Sequence, residues 1–257
     1  MTIHYEESGK GYPVILIHGY GETHHIWATY QERLSTKYRV LTPDLPGFGQ
    51  SDPLPYDLSL DMVANSIYDW LKKKNISECI IIGHSLGGYV TLEIAKKFPN
   101  IISGIGLLHS SAFSDSDEKK IGREKSIEFI QKHGVEKFIE SFVPMLFNEN
   151  TRDQHQKTIQ MLIEEGKKIP EKTMTDYMLA MRDRSDNIDL LKEFEKPLLF
   201  IFGEEDSSIP LAKSKEQIKY MQHPYLKSLP ETGHMGMFEK EEEVYSTIAK
   251  FIEVTLK

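Results

Sequence analysis

The sequence predicts an α/β fold: a mostly parallel central sheet flanked by helices, with an inserted helical cap. Three observations carry this expectation. Short apolar runs alternate with segments of helical period along most of the chain, the pattern of parallel strands covered on both faces. One such run, Cys79-Ile80-Ile81-Ile82, passes through Gly83-His84-Ser85-Leu86-Gly87 directly into a helix. After Ser111 the alternation stops, and helical periodicity alone continues to about residue 186. The expected division is a sheet core formed by residues 1–112 and 186–257, with residues 113–185 as the cap.

Taken in order, residues 2–9 alternate weakly and end in Ser8-Gly9-Lys10-Gly11, as an edge strand turning into the next would. Val14-Ile15-Leu16-Ile17 reads as a buried strand ending in His18-Gly19-Tyr20-Gly21, and Ile26, Trp27, Tyr30 and Leu34 share one helix face behind it. Arg39 to Thr42 forms a further strand, followed by the turn-rich loop Pro43 to Ser51 and by a helix with Leu60, Val63, Ala64, Ile67 and Leu71 inward. Beyond the Cys79 strand and its helix comes Ile105 to Leu108. The cap carries helices near 121–132, 135–147, 153–167 and 171–182, rich in Phe and Met; a minority of these side chains is expected to face the site as an apolar pocket. The sheet resumes at Leu198 to Phe202 and closes with Leu226 to Leu229. A last helix has Val244, Ile248, Phe251 and Ile252 inward, and the run Glu239 to Glu243 reads as its solvated first turn.

Composition narrows the function. With 39 acidic and 31 basic residues the chain carries −8, which disfavours nucleic acid as a partner, since phosphate binding needs clustered Lys and Arg. The single cysteine, Cys79, excludes an internal disulfide, fits a cytoplasmic setting and lies in a core strand. No basic-then-apolar start and no run of membrane-spanning length is seen. A nucleotide cofactor is not expected, because Gly19-x-Gly21 and Gly47-x-Gly49 lack the third glycine and no Lys-Ser/Thr follows the glycines after Ser85. No metal is expected either: H-E-x-x-H and paired-cysteine patterns are missing. The expected partner is a small-molecule, ester-like substrate, with oligomeric state left open.

The pattern G-x-S-x-G at 83–87 has a physical rationale. A serine at a sharp strand-to-helix turn sits in strained backbone, and small neighbours let the turn close. Its hydroxyl is pushed outward while the Leu86 amide, at a helix start, favours negative charge. Such a serine needs a base, and the base needs a carboxylate to orient it. His234, in Gly-His-x-Gly after the last strand, reaches the strand ends; the other histidines fall in helices, loops or the edge strand, with His84 directed away from Ser85 and His109 a pocket candidate. Of the acids after Phe202, Asp206 lies furthest into the turn and is preferred to Glu204 and Glu205, its competing role being a cap for the next helix. After Leu108 no acid appears until Asp115, too far past the strand end.

The chain resembles the α/β-hydrolase superfamily through His-Gly-x-Gly at 18–21, Asp-x-x-Gly-x-Gly-x-Ser at 44–51, Gly-His-Ser-x-Gly-Gly at 83–88, Gly-x-x-Asp at 203–206 and Gly-His at 233–234. The order Ser85, Asp206, His234 is the nucleophile-acid-base order of that fold. The resemblance implies an oxyanion hole from the backbone amides of Tyr20 and Leu86. Haloalkane dehalogenases and epoxide hydrolases resemble this layout but place a carboxylate where this chain has Ser85, which favours acyl transfer. The expected activity is a serine hydrolase of small to medium carboxylic esters. C–C bond hydrolysis, enol-lactone hydrolysis or perhydrolysis would use the same three residues, and a non-catalytic ligand receptor would keep the fold.

Overall fold

The computed structural model describes residues 1–55 and 57–257. Seven strands form one sheet: β1 (Tyr5–Ser8), β2 (Pro13–Ile17), β3 (Arg39–Pro43), β4 (Cys79–His84), β5 (Ile102–Leu108), β6 (Leu198–Gly203) and β7 (Tyr225–Leu229), in the spatial order β1-β3-β2-β4-β5-β6-β7. Only β1 runs antiparallel, against β3; every other pairing is parallel. All six residues of β4 and of β6 are buried, which is why these strands read as unbroken apolar runs rather than alternating ones.

Parallel neighbours need crossovers, and the helices supply them. They include α1 (Ala28–Leu34), α2 (Leu60–Lys73), α3 (Leu86–Lys97) and α9 (Leu211–Ile218), with α2 packed on α3; α11 (Glu241–Thr255) follows the last strand and is buried through Val244, Ile248, Phe251 and Ile252. Between β5 and β6 lie α4 (Asp117–His133), α5 (Val135–Met145), α6 (Gln156–Gly166), α7 (Glu171–Arg182) and the short α8 (Ile188–Glu193). No strand is found in that insertion among the described residues, and its helices pack on one another as α4 on α7, α4 on α5 and α5 on α6. Among the described residues no helix is long and apolar enough to cross a membrane.

The run Glu239 to Glu243 departs from its expected reading. Glu239 ends a separate short helix, α10 (Gly236–Glu239), and its carboxylate is not solvated at a helix start. It accepts the amides of Gly233 at 3.0 Å, Met235 at 3.3 Å and, from the insertion, Asn148 at 2.9 Å. Glu241, Glu242 and Glu243 do form the first turn of α11.

Candidate active site

The turn between β4 and α3 places Ser85 in a conformation that few non-glycine residues adopt, φ 49° and ψ −113°. Such strain costs about 1–3 kcal/mol and persists only where the surroundings enforce it. The enforcement is visible. The Ser85 amide donates to Leu108 O at 2.9 Å, and the Ser85 carbonyl accepts from Ser110 Oγ at 2.8 Å and from the Gly88 amide at 2.9 Å. A side chain at Gly83 would collide with the backbone of Gly87, and one at Gly87 with the carbonyls of Ile17 and His18. The glycines are therefore required by close approach, and Ser85 is left half-buried at the carboxyl end of the sheet.

Asp206 follows β6 and His234 follows β7, and parallel pairing brings the two strand ends together. His234 Nδ1 lies 2.7 Å from Asp206 Oδ2 with both side chains buried. The capping role considered for Asp206 is also present, since its other oxygen accepts the amides of Ser208 at 2.8 Å and Ile209 at 2.9 Å. One side chain thus does both. Burial alone would raise the Asp206 carboxyl, but the charge of His234 and hydrogen bonds from His109 and His234 outweigh it and hold it far below the usual range. No hydrogen bond joins Ser85 Oγ to His234 in this structure, a looseness common at unliganded sites of this kind.

Two backbone amides have no partner among the described residues: that of Leu86, next to Ser85 and the first residue of α3, and that of Tyr20 after β2. The Tyr20 side chain is held by a hydrogen bond from its hydroxyl to Met174 O at 3.0 Å and by edge contacts with Phe48, Phe138 and Phe142. A cavity of about 760 Å³ lies between the insertion and the strand ends, walled by Ser111, Phe142, Met178 and Ser207 among others. Its apolar wall includes two of the insertion's Phe and Met side chains, Phe142 and Met178, whereas Phe138, Met174 and Met181 do not line it and are buried.

The family model described as alpha/beta hydrolase fold matches residues 12–241. This chain belongs to the α/β-hydrolase family. The hydrolase is 27% identical to the "uncharacterized hydrolase YugF" of Bacillus subtilis over 261 residues, covering 97% of this chain and 93% of that one. It is 25% identical to a pimeloyl-[acyl-carrier protein] methyl ester esterase of Shewanella woodyi, with 98% of each covered. Among solved structures, a thermophilic esterase from Thermogutta terrifontis with malate bound superposes with a TM-score of 0.92 at 26% identity, covering 98% of this chain and 93% of that chain.

Three residues of the hydrolase to which the sequence reading gave no supporting role, His109, His84 and Glu22, contact these groups. His109, fully buried, adds a second imidazole at 3.1 Å from Asp206 Oδ2 through Nδ1, and burial pushes its pKa down to about 4, so it stays neutral and donates. His84, read as directed away from Ser85, lies between Glu22 and the carbonyl of His234: Nδ1 is 3.0 Å from Glu22 Oε2, and Nε2 is 3.0 Å from His234 O. Both partners are acceptors, so His84 must carry a proton on each nitrogen. Burial would lower its pKa, but Glu22 outweighs that and raises it; burial would raise Glu22, but the His84 charge leaves it lowered. Glu22 Oε2 also accepts the Gly19 amide at 2.5 Å. The buried ion pair therefore ties the Tyr20 loop to the His234 loop. Glu22→Gln leaves that imidazolium without its counter-charge and is expected to cost about 3 kcal/mol or more in urea unfolding; an unchanged midpoint would show that the pair is not needed.

Two groups in the hydrolase have the donor set of a metal site, His109-Asp206-His234 and His4-His24-Asp44. In both, the imidazole Nδ1 atoms already face the carboxylate at 2.7–3.1 Å, and the carboxylate also accepts backbone amides. His24, one of the histidines that the sequence assigned to helices or loops, is buried against Asp44.

Proposed function

We propose that this hydrolase cleaves small to medium carboxylic esters through an acyl-enzyme on Ser85, with Asp206 and His234 completing the triad and the insertion at 113–185 acting as a cap over the acyl or alcohol pocket. The observation that carries the reading is the coincidence of a strained, half-buried Ser85 at the strand-to-helix turn with a 2.7 Å His234–Asp206 contact at neighbouring strand ends. Asp206 fixes the proton on His234 Nδ1 and leaves Nε2 free as a base.

In the first half-reaction Ser85 Oγ attacks the ester carbonyl carbon while His234 Nε2 takes its proton. The carbonyl oxygen becomes an oxyanion, for which the Tyr20 and Leu86 amides are suitable donors. Collapse breaks the bond to the alcohol oxygen, which receives the proton from His234. Water then adds to the acyl carbon, giving a proton to His234, and expulsion of Ser85 Oγ with return of that proton releases the acid. The esterase names of two similar proteins support esters over the other substrates open to the same three residues. A fluorophosphonate tests the assignment by leaving a stable adduct on the activated hydroxyl: peptide mass analysis is expected to find it on Ser85, and an adduct on another residue would overturn the reading.

A further inference from the structure

The cavity beneath the insertion is not the neutral pocket that simple esters require. Asp115, after β5, is buried and is contacted by two guanidinium groups, Arg184 Nη1 at 2.6 Å on one oxygen and Arg123 Nε on the other. Two cations on one carboxylate leave a net positive charge in a cluster whose side chains are at most 16% exposed. Burial would raise Asp115, but Arg123 and Arg184 hold it below the usual carboxylate range, so it stays ionised and the excess charge persists.

The two arginines are not equivalent. Arg184 Nη1 and Nη2 are taken by Met181 O at 2.7 Å and Phe113 O at 2.8 Å, and its plane lies over the Tyr89 ring, so it is structural. Arg123, on α4, lines the cavity; its Nη1 has only the sulfurs of Met178 and Met181 at 3.7 and 3.4 Å, and its Nη2 donates to no described residue. A guanidinium edge facing thioethers lacks the oxygen acceptors it prefers. Lys119, one helical turn before Arg123, also lines the cavity with its ammonium 2.9 Å from Ser208 O. The other carboxylates of the lining, Glu118 and Asp186, are exposed to solvent, whereas Arg123 and Lys119 are partly buried. This sits in a protein of net charge −8, so general surface charge does not account for it.

Ser85, Asp206, His234, Tyr20 and Leu86 do not themselves line this cavity, but it reaches their neighbours in the chain and a side chain packed on Tyr20. Ser111 of the cavity wall follows Ser110, which donates to Ser85 O, and Ser207 follows Asp206. Phe142 forms cavity wall and touches the Tyr20 ring. Resting on the ester-hydrolase reading, we propose that the substrate is an ester bearing a free carboxylate, and that Arg123 binds that carboxylate with Asp115 and Arg184 fixing its orientation.

The experiment compares isosteric pairs with and without the charge: monomethyl glutarate against methyl 5-methylhexanoate for a carboxylate on the acyl side, and the butyrate ester of 3-hydroxypropanoic acid against 3-methylbutyl butyrate for one on the alcohol side. In the intact protein, kcat/KM is expected to favour the charged member of one pair. Arg123→Gln is expected to cut that preference about tenfold to a hundredfold, the worth of one charge-assisted contact. Arg123→Lys, which keeps the charge and secures the test against misfolding of the first variant, is expected to retain part of it. Equal kcat/KM within both pairs, or a preference that neither variant alters, overturns the proposal. If no ester turns over at all, the hydrolase reading fails on its own. Calorimetry with glutarate then decides the anion site, which stands if Arg123→Gln weakens binding at least tenfold and falls if binding is absent or unchanged.

Discussion

Ser85→Ala is expected to lower kcat for a p-nitrophenyl ester by about a millionfold, to the level left by binding and oxyanion stabilisation alone. The methyl group left behind cannot attack, and His234 then has nothing to deprotonate but water. KM is expected to change little, because on the proposed mechanism the hydroxyl reacts with the substrate rather than holding it. The substitution also leaves the elbow intact, since its backbone contacts are made by the Ser85 amide and carbonyl and not by Oγ. A panel of esters of rising chain length, run on both proteins with folding followed by circular dichroism, gives the comparison. Turnover that survives in a well-folded variant would remove Ser85 from the mechanism.

The second large effect is expected at Asp206. In Asp206→Asn the oxygen of the new amide keeps its place as acceptor for the Ser208 and Ile209 amides, which turns the amide nitrogen toward His234 and His109. A donor there forces His234 to accept through Nδ1, so its proton moves to Nε2 and the ring can no longer take the serine proton. A loss of about ten-thousandfold in kcat is expected. Glu205→Gln, at an exposed neighbour whose backbone amide and not its side chain is anchored, is expected to stay close to wild type. Comparable losses in the two variants would mean that position 206 acts only through the turn it caps.

The parts of this molecule that could be read in the sequence are those whose physics is local. A strand buried on both faces must be apolar throughout, so β2, β4 and β6 announce themselves within four to six residues. The elbow is equally local: Gly83 and Gly87 are demanded by contacts within the same turn and with β2. The positions of Asp206 and His234 followed from strand ends once the parallel sheet was recognised.

What escaped is what depends on partners far along the chain. Glu22 and His84 are 62 residues apart, and Asp115 and Arg184 are 69 apart, with no spacing that could signal either pair. Asp115 looked like an acid too late to serve the base, and the sequence did not show that two arginines converge on it. Glu239 was misread because a run of acids before a helix has a sufficient local explanation, and nothing in the run distinguishes the one that folds back onto the Gly233 and Met235 amides. His109 drew attention only as a pocket candidate, yet it supplies a second donor to Asp206.

The Glu239 clamp has a mechanical corollary. The His234 amide donates to Leu146 O at 2.6 Å, and Glu239 grips Asn148 with one oxygen while gripping Gly233 with the other. The segment leaving α5 and the segment bearing the imidazole are thereby cross-braced into one piece. Any shift of residues 146–148 is transmitted to the ring, so the two segments act as one lever rather than as two independent ones.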